Sequence, residues 1–289
     1  MRTTVALLSL LSLLSSLASA NPAPLYPGFQ LLWSDGFQGS AGQTPDQGKW
    51  NIITDLRVNN EVQTYTTSNT NLQLSGGNTV QLVPRKDPST GEWTSARIES
   101  RSTFTPSPGK LTLFSALIRF GGAPQSSKQG VWPAFWLLGD AIHHGTPWPL
   151  CGELDVMETV NGLPTAYGTT HCGAGDGVGG PCNEPHGRGG AVALGDYEWH
   201  TWTLQVDRTN PGGNWRGEVV RWLVDGQVFH QVSGADIGDQ GIWSTLAHSP
   251  MFVILNVAVG GNWPGAPNGA TADSYDIMME VDYVAVYSS

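Results

Sequence analysis

The run Gly152-Glu153-Leu154-Asp155-Val156-Met157-Glu158 decides how this chain is read. Its apolar members mark it as a buried strand, yet it carries three acids. Side chains alternate between the two faces of a strand, so Glu153 and Asp155 share one face. Glu158 lies five positions from Glu153 and would point to the opposite side of a regular strand. One extra residue in a β-bulge around Met157 returns it to the face of Asp155, and we expect that bulge. Three carboxylates on one face repel one another and are costly to desolvate, so they must be solvated, paired or functional.

Outward from this run, the chain continues as strands. Segments 58–66, 79–83, 96–102 and 110–120 are short, alternating or β-branched, and so are 154–160, 165–171, 198–207, 218–224, 251–259 and 279–287. No stretch of a dozen residues sustains a 3.6-residue period, and 37 Gly and 19 Pro punctuate the chain. Many short strands of even spacing predict an all-β sandwich or barrel. There is no internal repeat and no linker-like segment, so residues 21–289 are expected to form a single domain, with ample length for a core.

The first twenty residues follow another pattern. Arg2, the apolar stretch from Val5 to Leu14 and the small-residue exit Ala18-Ser19-Ala20 read as a signal peptide over residues 1–20. The apolar stretch is too short to span a bilayer, and secretion to the extracellular space is the expectation. The full chain has a net charge of −10. Such an acidic surface offers no electrostatic footprint for nucleic acid or an anionic membrane, and a neutral substrate is expected. The C-terminus lacks the hydrophobic tail of a lipid-anchor signal, and no Asn-X-Ser/Thr acceptor occurs.

Three cysteines leave one over in a secreted chain. Cys172 and Cys182 flank a Gly-rich loop and are the favoured pair, which leaves Cys151 as a free thiol; Cys151–Cys172 is the competing pairing. No His or Cys cluster has zinc spacing, and His143-His144 reads as a solvated loop. The 12 Trp outnumber the 7 Tyr and the 8 Phe. Several stand beside Gly, Pro or Asn, where a ring can form the edge of a cleft and pack on the flat C–H face of a sugar.

Close like charges push pKa values apart, which is what two-carboxylate chemistry requires: one group ionised as nucleophile, one protonated as acid. Glycosidic bonds are cleaved with retention by carboxyls about 5–5.5 Å apart, a gap that one strand face can supply. The other readings of three such acids are a calcium or magnesium site and a solvent-facing edge strand.

The segment also resembles glycoside hydrolase family 16, the laminarinase and lichenase group, whose Glu-X-Asp-X-X-Glu motif stands here as Glu153 to Glu158. The resemblance extends to Asn59-Asn60-Glu61-Val62-Gln63-Thr64-Tyr65-Thr66, Gly130-Val131-Trp132-Pro133-Ala134-Phe135-Trp136-Leu137-Leu138, Trp148-Pro149 and Gly168-Thr169-Thr170-His171. It continues through Asn256-Val257-Ala258-Val259-Gly260-Gly261-Asn262-Trp263-Pro264-Gly265 and Val281-Asp282-Tyr283-Val284-Ala285-Val286-Tyr287.

What it implies is an all-β jelly-roll sandwich of two antiparallel sheets, of the concanavalin A-like lectin and glucanase type, with an open concave cleft. By the same resemblance Glu153 is the nucleophile, Glu158 the acid/base and Asp155 the residue that tunes the pair. His171 would stand near the acid/base, Trp136, Trp148 and Trp263 would stack on sugars, and Asn60 and Arg97 would hydrogen-bond the glycan. No cofactor is required, though a structural calcium on Asp282, with carbonyls near Gly36 and Gly77, is open.

The expected activity is a retaining endo-hydrolase of β-1,3-glucan, with mixed 1,3-1,4-glucan as a further substrate, acting as a monomer on a polysaccharide. Cys151 and the loop from Cys172 to Cys182 depart from the simplest laminarinase pattern. A β-1,3-galactanase and a cell-wall transglycosylase on the same site therefore stay open as alternatives. A lectin without turnover is disfavoured, because a pure binder needs neither nucleophile nor acid.

Overall fold

A computed structural model describes residues 23–289 apart from 174, 176 and 211. The expected signal peptide, residues 1–20, lies outside the described residues. Strands are numbered along the chain. One sheet runs in the order β16 (Gln227–Ser233), β15 (Val219–Val224), β14 (His200–Asp207), β9 (Leu111–Phe120), β18 (Met279–Ser288), β5 (Val80–Leu82) and β4 (Leu72–Leu74). The long β18 has β9 along one edge; its other edge is shared by β5 and, further on, by β1 (Gln30–Asp35).

The second sheet runs β13 (Arg188–Ala193), β12 (Thr165–His171), β11 (Glu153–Glu158), β10 (Val131–Gly139), β17 (Met251–Val259), β8 (Arg97–Ser100) and β2 (Trp50–Ile52). Every pairing in both sheets is antiparallel. A small third sheet joins β3 (Gln63–Tyr65), β7 (Trp93–Ser95) and β6 (Arg85–Lys86). The architecture is the expected β-jelly-roll sandwich.

The strands face one another across a common apolar core because each obeys the two-residue period. From the first sheet, Phe114, Ala116 and Ile118 of β9 and Trp202, Leu204 and Val206 of β14 point inward. They meet Phe135 and Leu137 of β10, Leu154 of β11, and Val253, Leu255 and Val257 of β17. Burying each such aliphatic or aromatic side chain contributes about 1.5–3 kcal/mol. The complementary positions of the second sheet face outward and form the floor of the site.

The predicted bulge is present in β11. Trp136 pairs with Asp155 and Phe135 with Met157, so Val156 has no counterpart on β10. On the other edge Asp155 pairs with Thr169 and Glu158 with Tyr167, so two residues of β11 stand against one of β12. The carbonyl of Asp155, at the lip of this bulge, accepts a 2.6 Å hydrogen bond from the indole of the fully buried Trp222 on β15. Trp222 also lies against Gly168 of β12, where a Cβ would come within 2.3 Å of the indole. The two sheets are thus locked together at β11.

Three expectations need correction. Segment 58–66 is not one strand: Gln63–Tyr65 forms a short strand and Glu61 a lone bridge to Gly260, because Asn59 and Asn60 take left-handed backbone (φ 53° and 58°), which short polar side chains tolerate. The lack of helical periodicity hid two short helices, α1 (Gly234–Ile237) and α2 (Gln240–Ala247). They are too brief to repeat a pattern, but their caps are written plainly: a Ser233–Asp236 capping box and Asp239 accepting from the N–H of Ile242. The edge strands β13 and β16 were also missed, the first because its Gly189-Gly190 pair reads as loop.

Replacing Trp222 by Phe should lower unfolding stability by about 1–3 kcal/mol, the cost of leaving a buried acceptor unmade. Urea titration of Trp222→Phe checks this; an unchanged midpoint would show that the bond does not anchor the bulge.

Candidate active site

A cleft of about 980 Å³ lies over the outward face of the second sheet. Its floor comes from alternate residues of adjacent strands: Trp132, Ala134, Trp136 and Leu138 of β10, Asn256 and Ala258 of β17, Tyr167, Thr169 and His171 of β12, and Arg97 of β8. Between β10 and β12, the bulged β11 presents Glu153, Asp155 and Glu158 together. Gly152 enters that strand at φ 80°, and a Cβ there would meet the Thr245 carbonyl at 2.8 Å, so glycine is required just before the acids.

Strand register orders the site along β11. Glu153 is opposite His171, and Trp148 lies 5.6 Å from that imidazole, ring centre to ring centre. Glu158 is opposite Tyr167 and accepts a 2.8 Å hydrogen bond from Nε1 of Trp132. Trp263 meets both Trp132 (5.5 Å) and Tyr167 (5.2 Å) edge to face. Trp148 and Trp263 keep 37% and 43% of their surface exposed, which suits rings that wait for a ligand.

Burial dominates the electrostatics. It raises the pKa of Glu153, partly offset by the charges of His171 and Arg97. It raises Asp155 well above the usual carboxylate range, and the nearby Glu158 and Glu153 add to that. Glu158 is pushed up to about 7 by burial, against the opposing hydrogen bond from Trp132. For His171 burial disfavours the cation, but the hydrogen bond to Glu184 and the surrounding carboxylates outweigh it, lifting the imidazole to about 9. His171 Nε2 stands 3.4 Å from Oδ2 of Asp155 and 3.9 Å from Oε1 of Glu153. The site therefore balances buried acids with one cationic ring. Donor atoms of Glu153, Asp155 and His171 lie within 4.8 Å of one another; that closeness is accounted for by mutual charge compensation.

Arg97 donates twice to Oε1 of Glu99 (2.9 and 2.7 Å), and its guanidinium lies 4.8 Å over the Trp136 ring. Trp136 donates to Asn256, Asn256 to the Tyr65 hydroxyl, and Tyr65 and Gln63 to Glu61, giving the cleft floor a continuous polar support. Of the residues singled out from sequence, Glu153, Asp155, Glu158, Arg97, Trp136, Trp148, His171 and Trp263 all line the cleft. Asn60 stands at the rim, donating to Asn262 at 2.7 Å, while its neighbours Asn59 and Glu61 form the wall.

Sequence reasoning passed over Glu61, Trp132, Tyr167, His186 and Glu184. The alternation of β10 and β12 could have found Trp132 and Tyr167; nothing local marked Glu184. Cys172 and Cys182 form the disulfide, and Cys151 is buried and reduced, its thiol pushed up to about 12 by burial. His143 and His144 are exposed on a 3₁₀ turn, both on Asp140.

Asp282 lies on the other sheet, at a register break of β18 between Val281 and Tyr283. Val281 pairs with Val80, and Val284 with Asp35. The segments that hold Gly77 and Gly36 therefore converge on this break, as a calcium site there would need.

A model of the XgeA-like, catalytic GH16 domain matches residues 41–192. A β-glucanase of Rhodothermus marinus is 30% identical over 294 residues, covering 99% of this chain and 94% of its own. Among solved structures, the endo-1,3-β-glucanase from Streptomyces sioyaensis superposes with a TM-score of 0.84 at 35% identity, covering 92% of this chain and 98% of that one. The endo-β-1,3-glucanase from Pyrococcus furiosus gives 0.70 at 29% identity, covering 90% and 94%.

The raised groups set a pH dependence of stability. Glu153, Asp155, Glu158 and His171 all bind protons more tightly folded than unfolded. Their contribution is fully present below the unfolded pKa values and is lost as pH rises, through about 7 for Glu158 and about 9 for His171. The melting temperature should fall across that window, and Asp155→Asn should raise it at alkaline pH and flatten the slope. Calorimetry across the pH range checks this; a less stable Asn variant at alkaline pH would contradict it.

Proposed function

The chain belongs to glycoside hydrolase family 16 and is a glycan-hydrolysing enzyme of endo-β-1,3(4)-glucanase-like type, and from that premise we propose that it cleaves internal β-1,3 bonds of glucan with retention. One observation carries this reading: a bulged strand presents two glutamates on one cleft face, with the second held near pKa 7 by burial.

In the first step a carboxylate oxygen of Glu153 attacks the anomeric carbon. Glu158 gives its proton to the departing glycosidic oxygen, so the C–O bond breaks as the glycosyl ester forms. In the second step water attacks the same carbon, Glu158 takes its proton, and Glu153 leaves as a carboxylate. Asp155, between them on the strand and neutral through burial, limits the negative charge in the site, and cationic His171 favours the ionised form of Glu153 against the effect of its burial. Trp148 and Trp263 serve as sugar platforms, and Arg97 and Asn60 offer donors to hydroxyls.

The N-terminal pattern and the Cys172–Cys182 disulfide both support an oxidising, extracellular setting, since such bridges persist there. A monomer acting on polysaccharide is part of the same reading. So is a structural calcium held by Asp282 with carbonyls near Gly36 and Gly77, which would tie β18 to its two neighbours on one edge.

Glu153→Gln should abolish turnover of polysaccharide. Glu158→Gln should lose about 10²–10⁴-fold on glucan while keeping the first-step burst of leaving group from an aryl glycoside whose leaving group needs no proton. Reducing-end release from laminarin, lichenan and β-1,3-galactan, with product anomers followed by NMR, tests the whole reading. Cleavage of galactan alone would overturn the substrate, longer products from oligosaccharide acceptors would indicate transglycosylation, and inverted products would overturn the mechanism. Chelation by EDTA should lower the melting temperature of the wild type, with recovery on adding calcium, but leave Asp282→Asn unchanged; an unresponsive wild type would dismiss the ion.

A further inference from the structure

Glu184 lies outside the acid run, two residues beyond the loop closed by the Cys172–Cys182 disulfide, with 3% of its surface exposed. Its two carboxylate oxygens have different partners. Oε1 accepts the backbone N–H of Cys172 at 2.8 Å, and Oε2 stands 2.8 Å from Nδ1 of His171. A carboxylate can only accept here, so Nδ1 carries the proton. Nε2, on the far side of the ring, then faces Oδ2 of Asp155 at 3.4 Å, and that buried oxygen has no hydrogen-bond partner among the described residues. A chain of groups thus runs from Glu184 through His171 to the tuning acid, and Glu153 flanks its end at 3.9 Å.

Three restraints hold Glu184 in place. The disulfide closes the loop two residues before it, and its own N–H and C=O both pair with Gly179 at 2.8 Å. Arg188, four residues on, donates to the carbonyls of Pro181 and Asp236, tying the loop to α1. An acid that served only to satisfy the Cys172 amide would need one oxygen. The second oxygen is spent on the imidazole.

We propose that Glu184 is a positioning residue of the active site: acting through His171, it fixes the ring so that Nε2 faces Asp155 and Glu153. No bond is made or broken by Glu184. It holds the Nδ1 proton, so any proton exchanged with the site passes at Nε2, toward Asp155. The segment that follows the disulfide thereby becomes part of the site, and its next residues, Pro185 and His186, form cleft wall. The inference rests on the two-glutamate reading above.

Glu184→Gln keeps the shape and the bond to Cys172 but removes the acceptor charge facing Nδ1. Its kcat should fall on the order of 10–100-fold, as on loss of a histidine's orienting partner, with KM within about twofold. The acidic limb of the rate profile should move to higher pH, because a less firmly cationic His171 favours ionised Glu153 less. Combined with His171→Asn, Glu184→Gln should add no further loss. A loss that multiplies, or a single variant with wild-type kcat and pH profile, would overturn the proposal.

Should the variant not fold, ¹⁵N spectra of histidine-labelled wild type decide: a protonated, slowly exchanging Nδ1 on His171 at neutral pH supports it, and a bare Nδ1 overturns it. Wild-type turnover by Glu153→Gln would sink the two-glutamate reading. An inactive Glu153→Gln beside a fully active Glu184→Gln would sink only the present inference.

Discussion

The arrangement hinges on one unmatched residue. Val156 has no partner on β10, and the bulge it creates shifts the phase of β11 by one position. Without it, Glu158 would be driven into the apolar core among Leu154, Phe135 and Val257. With it, three acids share one face, and the remaining strands can keep a regular alternation on both sides. The bulge needs its own support, which comes from Trp222 reaching across from the opposite sheet to the Asp155 carbonyl. Sandwich packing and catalytic geometry are therefore one problem solved at one place.

Burying acids side by side opposes stability, and the structure limits that penalty by raising their pKa values and setting His171 and Arg97 beside them. Burial keeps Asp155 and Glu158 protonated at pH values where free carboxyls would be charged, and His171 offsets what negative charge remains. In the proposed mechanism, the same shifts that reduce repulsion prepare an acid and a nucleophile in neighbouring positions. Aromatic rings around them serve both ends: Trp132 donates to Glu158 while propping Trp263 on the cleft edge. The segment that follows Cys182 adds a wall to this pocket with Pro185 and His186 and, through Glu184, a brace behind His171.

Much of this was legible from residue order alone. The two-residue alternation in β9, β14, β17 and β18 announced strands, and the misfit between Glu153 and Glu158 announced the bulge. The three acids could be named from their places on the strand, and His171 and the rings of Trp136, Trp148 and Trp263 from the resemblance to the family. Less legible were the segments whose conformation depends on single residues, such as the left-handed Asn59 and Asn60 or the eight-residue α2. A periodic signal needs several repeats, and these elements have none.

The sequence by itself determined the strand faces and the chemistry placed on them, because side-chain alternation is a local property of the extended backbone. Only the tertiary structure decided which distant residues would complete the site. Glu184 approaches His171 because the disulfide folds its loop back, and Trp222 meets Asp155 because two sheets close on one core. Such contacts depend on how surfaces pack at long range, and no pattern within a few residues of either partner encodes them.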